Sequence, residues 1–81
     1  MKSVYIVTRT NTLYDALEDM LVFGSRHAAL KFLSQVKEQA EQFGALGDYN
    51  LNFTAPYVYA TDEDNMKYLI QLNPHPYVVN E

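Results

Sequence analysis

GSRHAALKFLSQVKEQAEQFG, residues 24–44, is the stretch that decides the fold. Ala29, Leu33, Val36, Ala40 and Phe43 recur at steps of four, three, four and three. That spacing brings all five to one side of a helix with about 3.6 residues per turn. Leu30 and Phe32 widen the stripe, and Lys31, Ser34, Gln35, Lys37, Glu38, Glu41 and Gln42 form the opposite, solvated side. Ser25 supplies an N-cap hydroxyl for an orphan amide of the first turn. Ala28 stands where a capping box would need Glu or Gln, so the cap is the serine alone. Gly44 is the stop signal, because it enters the left-handed region without a Cβ clash. The two small alanines on the stripe let such a helix lie close to a sheet.

Upstream of the helix, residues 3–9 (SVYIVTR) are rich in β-branched side chains and read as a strand. Both of its faces are apolar, Val4 and Ile6 on one and Tyr5 and Val7 on the other, as in a central strand or one with a covered back face. Thr10, Asn11 and Thr12 are turn formers, and residues 19–23 (DMLVF) read as a second strand closing a hairpin. The rival for this region is a short helix over residues 13–21, capped by Thr12 and striped by Leu13, Leu17 and Met20.

Downstream, residues 45–48 read as a turn. Residues 49–60 (YNLNFTAPYVYA) then alternate as one half-buried strand, with Tyr49, Leu51, Phe53, Ala55, Tyr57 and Tyr59 on the same face. Pro56 cannot donate to a ladder, which puts that strand at an edge or places a bulge there. Residues 61–65 (TDEDN) form a polar loop and residues 66–73 (MKYLIQLN) a fourth strand. Pro74 and Pro76 end it, and two alternatives stay open for the tail over residues 74–81: an extended segment that packs, or a loosely packed one that frays.

The expectation is one α+β domain over residues 1–81, a small ββαββ unit whose antiparallel sheet carries the amphipathic helix on one face. Val4, Ile6, Met20, Val22, Leu51, Phe53, Tyr68 and Ile70 are assigned to the inner face. Tyr5, Val7, Leu21, Phe23 and Leu69 are assigned to the outer one. A slip of one residue exchanges the two sets. An uncovered apolar face of this kind marks an interface, and a core built from 81 residues is small enough to gain from self-association.

The composition narrows the function. The chain has no cysteine, hence no disulfide and no thiolate chemistry. Six basic residues against ten acidic give a net charge of −4, and the basic ones are scattered. No stripe tracks a phosphate backbone, so nucleic acid is not an expected partner. No window is apolar enough to span a membrane, and a cytoplasmic location is expected. Seven tyrosines and four phenylalanines are a heavy aromatic load, and tyrosine is favoured at interfaces.

Catalysis finds little support. His27 and His75 are the only imidazoles; Ser25 and His27 point apart at a helix start, and His75 sits between prolines. There is no phosphate loop. Asp62, Glu63 and Asp64 lack the glycine turn and ligand spacing of a cation site. They read as a solvated loop or as an electrostatic contact for a basic partner. Tyr57, Tyr59 and Tyr68 read as aromatic cross-strand packing or as a surface for a planar ligand or nucleotide. No cofactor, metal or catalytic residue is assigned.

The segment MKSVYIVT (residues 1–8), a hairpin, then VFGSRHAALKFL (residues 22–33) resembles small phage-encoded accessory proteins. The resemblance covers about the first half of the chain and rests on a pattern of elements. It implies a protein that acts by binding, as an inhibitor or modulator of a host protein or a defence complex. The expected activity is therefore that of a non-enzymatic protein-interaction module, with a homodimer through Tyr5, Val7, Leu21 and Leu69 and with Asp62, Glu63 and Asp64 as further contacts.

Overall fold

A helix with a single apolar stripe needs a sheet beneath it, and the computed structural model, which describes residues 2–52 and 54–80, supplies one. The elements run β1 (Lys2–Asn11), β2 (Ala16–Phe23), α1 (Arg26–Gln42), β3 (Leu46–Asn50), β4 (Tyr57–Thr61), β5 (Lys67–Leu72) and β6 (Tyr77–Val79). The sheet order is β2-β1-β5-β4-β3, all neighbours antiparallel, with β6 pairing β1 beyond the end of β5. The class is α+β, as expected, but six strands replace the four of the ββαββ scheme.

The helix ends are built as the sequence reads. Ser25 Oγ accepts a bond from Ala28 N at 3.1 Å. At the other end Gly44 N donates to Glu41 O (3.1 Å) and Ala45 N donates to Ala40 O (2.8 Å), with Gly44 at φ +67°. This is the paired 5→2 and 6→1 bonding of a Schellman ending, and it satisfies carbonyls that would otherwise be orphaned. Between these ends α1 carries the chain from the β2 edge of the sheet to the β3 edge, across its central strands.

Ala29 and Leu33 are fully buried, and they pack into Val7, Val58, Ile70 and Leu72. Each of the valine, leucine and isoleucine side chains contributes about 1.5–3 kcal/mol by leaving water. Val36, Phe32 and Phe23 extend the core, with the rings of Phe23 and Phe32 5.4 Å apart. Phe43 departs from the predicted stripe. It is the C-cap residue, where the helical phase is already lost, and it is 77% exposed.

Residues 12–21 form the hairpin and not the rival helix, with β2 beginning at Ala16. Asn11, itself buried, accepts bonds through Oδ1 from Leu13 N (3.0 Å) and Tyr14 N (3.4 Å), which shapes the turn. Beyond Arg9 and Asp19 the register shifts, and Glu18 is the extra residue of a β-bulge.

Two expectations are corrected, and the open one about the tail is decided. The stretch 49–60 is not one strand: it divides into β3 and β4, paired antiparallel as Tyr49↔Val58 and Asn50↔Tyr57. Tyr49 therefore lies on the helix side, while Tyr57 and Tyr59 lie on the other. Asn50 makes the break, its Oδ1 accepting from Asn52 N at 3.0 Å. Pro56 is buried just before β4, and its carbonyl accepts from Leu72 N at 3.0 Å. The ring thus marks neither an edge nor a bulge, and β4 is interior. Phe53, assigned to the inner face, lies outside the described residues.

The second correction concerns the faces of the first hairpin. Val7 is 1% exposed under the helix and Tyr5 and Phe23 pack on the same core, so Tyr5, Val7, Leu21 and Phe23 are on the helix side. Val4, Ile6, Met20 and Val22 are on the far side. Val7 cannot form part of an outer contact surface, and Leu69 lies on the opposite face of the sheet from it. Tyr68 and Ile70 keep their inner assignment. The tail takes the extended, packed alternative: β6 pairs β1 as Lys2↔Val79, Ser3↔Val78 and Val4↔Tyr77.

Candidate functional site

Helix α1 covers one face of the sheet, and the far face is left with a row of side chains from four neighbouring strands. From the β2 edge inward these are Met20 and Val22, then Ile6 and Thr8, then Leu69 and Gln71, then Tyr57 and Tyr59. Met20 is 56% and Val22 62% exposed, whereas Ile6 and Leu69 are half-buried by their neighbours. Leu13, Tyr14 and Leu17 extend the exposed apolar group to the hairpin tip. An exposed apolar group concentrated at one end of a sheet is the feature that most needs a partner.

The tyrosine end of this face is more ordered in its chemistry. Tyr57 and Tyr59 meet edge to face with ring centroids 5.6 Å apart. The Tyr57 hydroxyl donates to Asp48 Oδ2 at 3.1 Å. That hydrogen bond to the carboxylate is the largest cause of a phenol pKa raised above its usual 10.0, followed by burial and the Asp48 charge. Gly47 lies beneath Tyr59: a Cβ there would stand 3.2 Å from Tyr59 Cβ, so the close approach of β3 to β4 depends on glycine.

Tyr68 does not join these two. It lies on the helix side, with the Arg9 guanidinium 4.9 Å over its ring, and Arg9 Nη2 also pairs with Asp19 Oδ2 at 2.9 Å. Burial, with Glu18 and Asp62 nearby, raises the Tyr68 pKa against the opposing charge of Arg9. The three-tyrosine ligand surface expected from the sequence is therefore not assembled. What forms instead is an Asp19–Arg9–Tyr68 row that braces β2, β1 and β5 on the helix side.

A second candidate lies at the C-terminal end of the helix. Two adjoining open clefts of about 660 and 640 Å³ share Phe43, Ala45, Ala60, Thr61 and Asp62. One rim carries Glu63 and Asp64, and the last helical turn has no basic residue. The helix end and the carboxylates both favour positive charge here. Within the acidic loop the three carboxylates have different tasks. Asp62 Oδ1 accepts from Asp64 N and Met66 N, both at 2.9 Å, and so holds the loop shape. Asn65 in the left-handed region (φ +63°) completes the turn. Glu63 and Asp64 are exposed.

Ser25 is occupied as the helix cap, and His27 and His75 are exposed at separate points of the fold. Among the described residues no three His, Cys, Asp or Glu side chains converge as metal ligands. Among the same described residues no helix is long and apolar enough to cross a membrane. Comparison of the chain with protein-family models, with curated proteins and with solved structures finds no match.

Proposed function

We propose that this chain is a non-enzymatic protein-interaction module that acts by binding through the uncovered face of its sheet. The observation that carries the reading is the exposed apolar row on the far face, densest at Met20 and Val22. A helix on one side only leaves that row in water, and its removal from water drives association. The cleft beside Glu63 and Asp64 supplies a second, charged contact that favours a partner with a basic surface and speeds its encounter. The likeness of residues 1–8 and 22–33 to phage accessory proteins supports the same reading: an inhibitor or modulator of a host protein or a defence complex, working inside the cell.

The test is quantitative affinity capture with three immobilised baits: the wild type, a far-face variant (Leu69→Asp) and a loop variant (Glu63→Lys with Asp64→Lys). The reading predicts a protein retained by the wild type, lost with Leu69→Asp and weakened by the loop variant. Equal retention on all three baits would refute it.

A further inference from the structure

The β2 edge carries more information than its exposure. Ile6 O accepts from Asn73 N (3.0 Å) and Thr12 N donates to Lys67 O (2.9 Å), so even-numbered β1 residues direct their backbone groups towards β5. The odd-numbered Tyr5, Val7 and Arg9 direct theirs towards β2, where they oppose Phe23, Leu21 and Asp19. It follows from antiparallel geometry that the amides and carbonyls of Met20 and Val22 point out of the sheet, unpaired. These same two residues put their apolar side chains on the far face. An unpaired edge of this composition is a template for another strand.

We propose that β2 pairs antiparallel with β2 of a second copy of this chain, about a twofold axis at Leu21. The inference deepens the interaction-module reading by naming one partner and one register. The regular part of β2 runs only from residue 19 to residue 23, because the bulge at Glu18 interrupts the ladder, and Leu21 is its centre. Directly opposed residues of an antiparallel pair share a face, so only registers that match like-facing residues are allowed. Centring on Leu21 sets Met20 against the second copy's Val22 in a hydrogen-bonded pair, using the free amides and carbonyls of both. It also joins the two exposed apolar rows across the dyad.

The charges disfavour the registers centred nearer Asp19, and a dyad at Val22 would set Met20 against Gly24, past the end of the strand. With the dyad at Leu21, Asp19 falls opposite Phe23, four residues from its own symmetry mate, or about 13 Å at roughly 3.3 Å per residue. That exceeds the screening length of about 8 Å at physiological salt. A dyad at Met20 would bring the two Asp19 carboxylates to about 7 Å, and a dyad at Asp19 would oppose them directly. The occupant is therefore a second copy, because the outward backbone groups and exposed apolar side chains of Met20 and Val22 match each other across the dyad while the like charges stay apart.

The chain has no cysteine, so single-cysteine variants report the register without background. At the dyad the pair is non-hydrogen-bonded, with Cα atoms about 4.5 Å apart, within disulfide reach. Leu21→Cys is expected to form a covalent dimer on mild oxidation, and Asp19→Cys is expected not to. In parallel, light scattering over a concentration series should show the mass rising from 9.3 kDa towards twice that value. Val22→Pro removes an outward amide without touching the β1 ladder and should hold the mass at the monomer with the circular dichroism unchanged. A monomer at every concentration, or cross-linking of Asp19→Cys as fast as Leu21→Cys, would overturn the proposal. A monomer whose far face still captures a foreign protein would overturn the dimer while leaving the interaction-module reading standing.

Discussion

Replacing valine by alanine at two positions of the first hairpin separates the two faces of the sheet, on which the functional reading depends. Val7 lies on β1 under the helix at 1% exposure, and Val22 lies on β2, on the far face, at 62%. Both substitutions remove the same two methyl carbons from a strand, so the change in intrinsic strand preference is common to them. At Val7 the lost transfer energy is about 1.6 kcal/mol at roughly 0.8 per carbon, and the cavity left against Leu33 and Leu72 brings the total to about 2–3 kcal/mol. At Val22 the same transfer term shrinks with exposure to about 0.6 kcal/mol, with no cavity. With a urea slope of about 1 kcal/mol per molar, the midpoint should fall by about 2 M or more for Val7→Ala and by about 0.6 M for Val22→Ala. Circular dichroism in urea, at low micromolar protein so that association adds little, reads both. Equal losses, or a larger loss at Val22, would refute the face assignment.

Three further results are expected. Ser25→Ala should destabilise the chain by about 1 kcal/mol through loss of the bond to Ala28 N, read by thermal melting. Gly44→Ala should cost about 1–2 kcal/mol although the space around it is open, because the φ of +67° alone opposes a Cβ; Gly44→Asn should recover part of that in the same melt. The Tyr57 phenol has a raised folded pKa, so its hydrogen bond to Asp48 stabilises the fold fully below the ordinary value of 10.0, and this is lost as pH rises through the folded pKa. Asp48→Asn should bring the Tyr57 titration back down towards that ordinary value in an ultraviolet tyrosinate titration; an unmoved curve would contradict the assigned cause.

The helix was legible because its signals agree: a 3.6-residue period, a serine cap and a glycine stop all place it at the same residues. The hairpin at residues 12–21 was legible from its turn formers. The faces were not, because β1 is apolar on both sides. Val4 and Ile6 match Tyr5 and Val7 in character, and Thr8 and Thr10 match Arg9 and Asn11 in polarity. A period of two without amplitude leaves the choice to tertiary packing, and the helix docked on the side of Val7. The division of residues 49–60 had a signal that alternation masked: the Asn50–Asn52 turn bond and Pro56 interrupt a pattern which β3 and β4 each continue. The tyrosine surface failed for a different reason: across β4 and β5 Tyr68 stands opposite Ala60 on the helix side, while Tyr57 and Tyr59 are on the far side.

The central claim is that the β2 edge and the face beside it are a contact surface. Residue-resolved amide hydrogen exchange of the chain alone, in dilute and in concentrated solution, tests it most directly. The Leu21 and Phe23 amides are bonded to β1 and should be protected in both. The Met20 and Val22 amides face outward and should exchange freely when dilute and become protected as concentration rises. Free exchange of Met20 and Val22 at every concentration would contradict the pairing of β2 with a second copy and leave the edge in water.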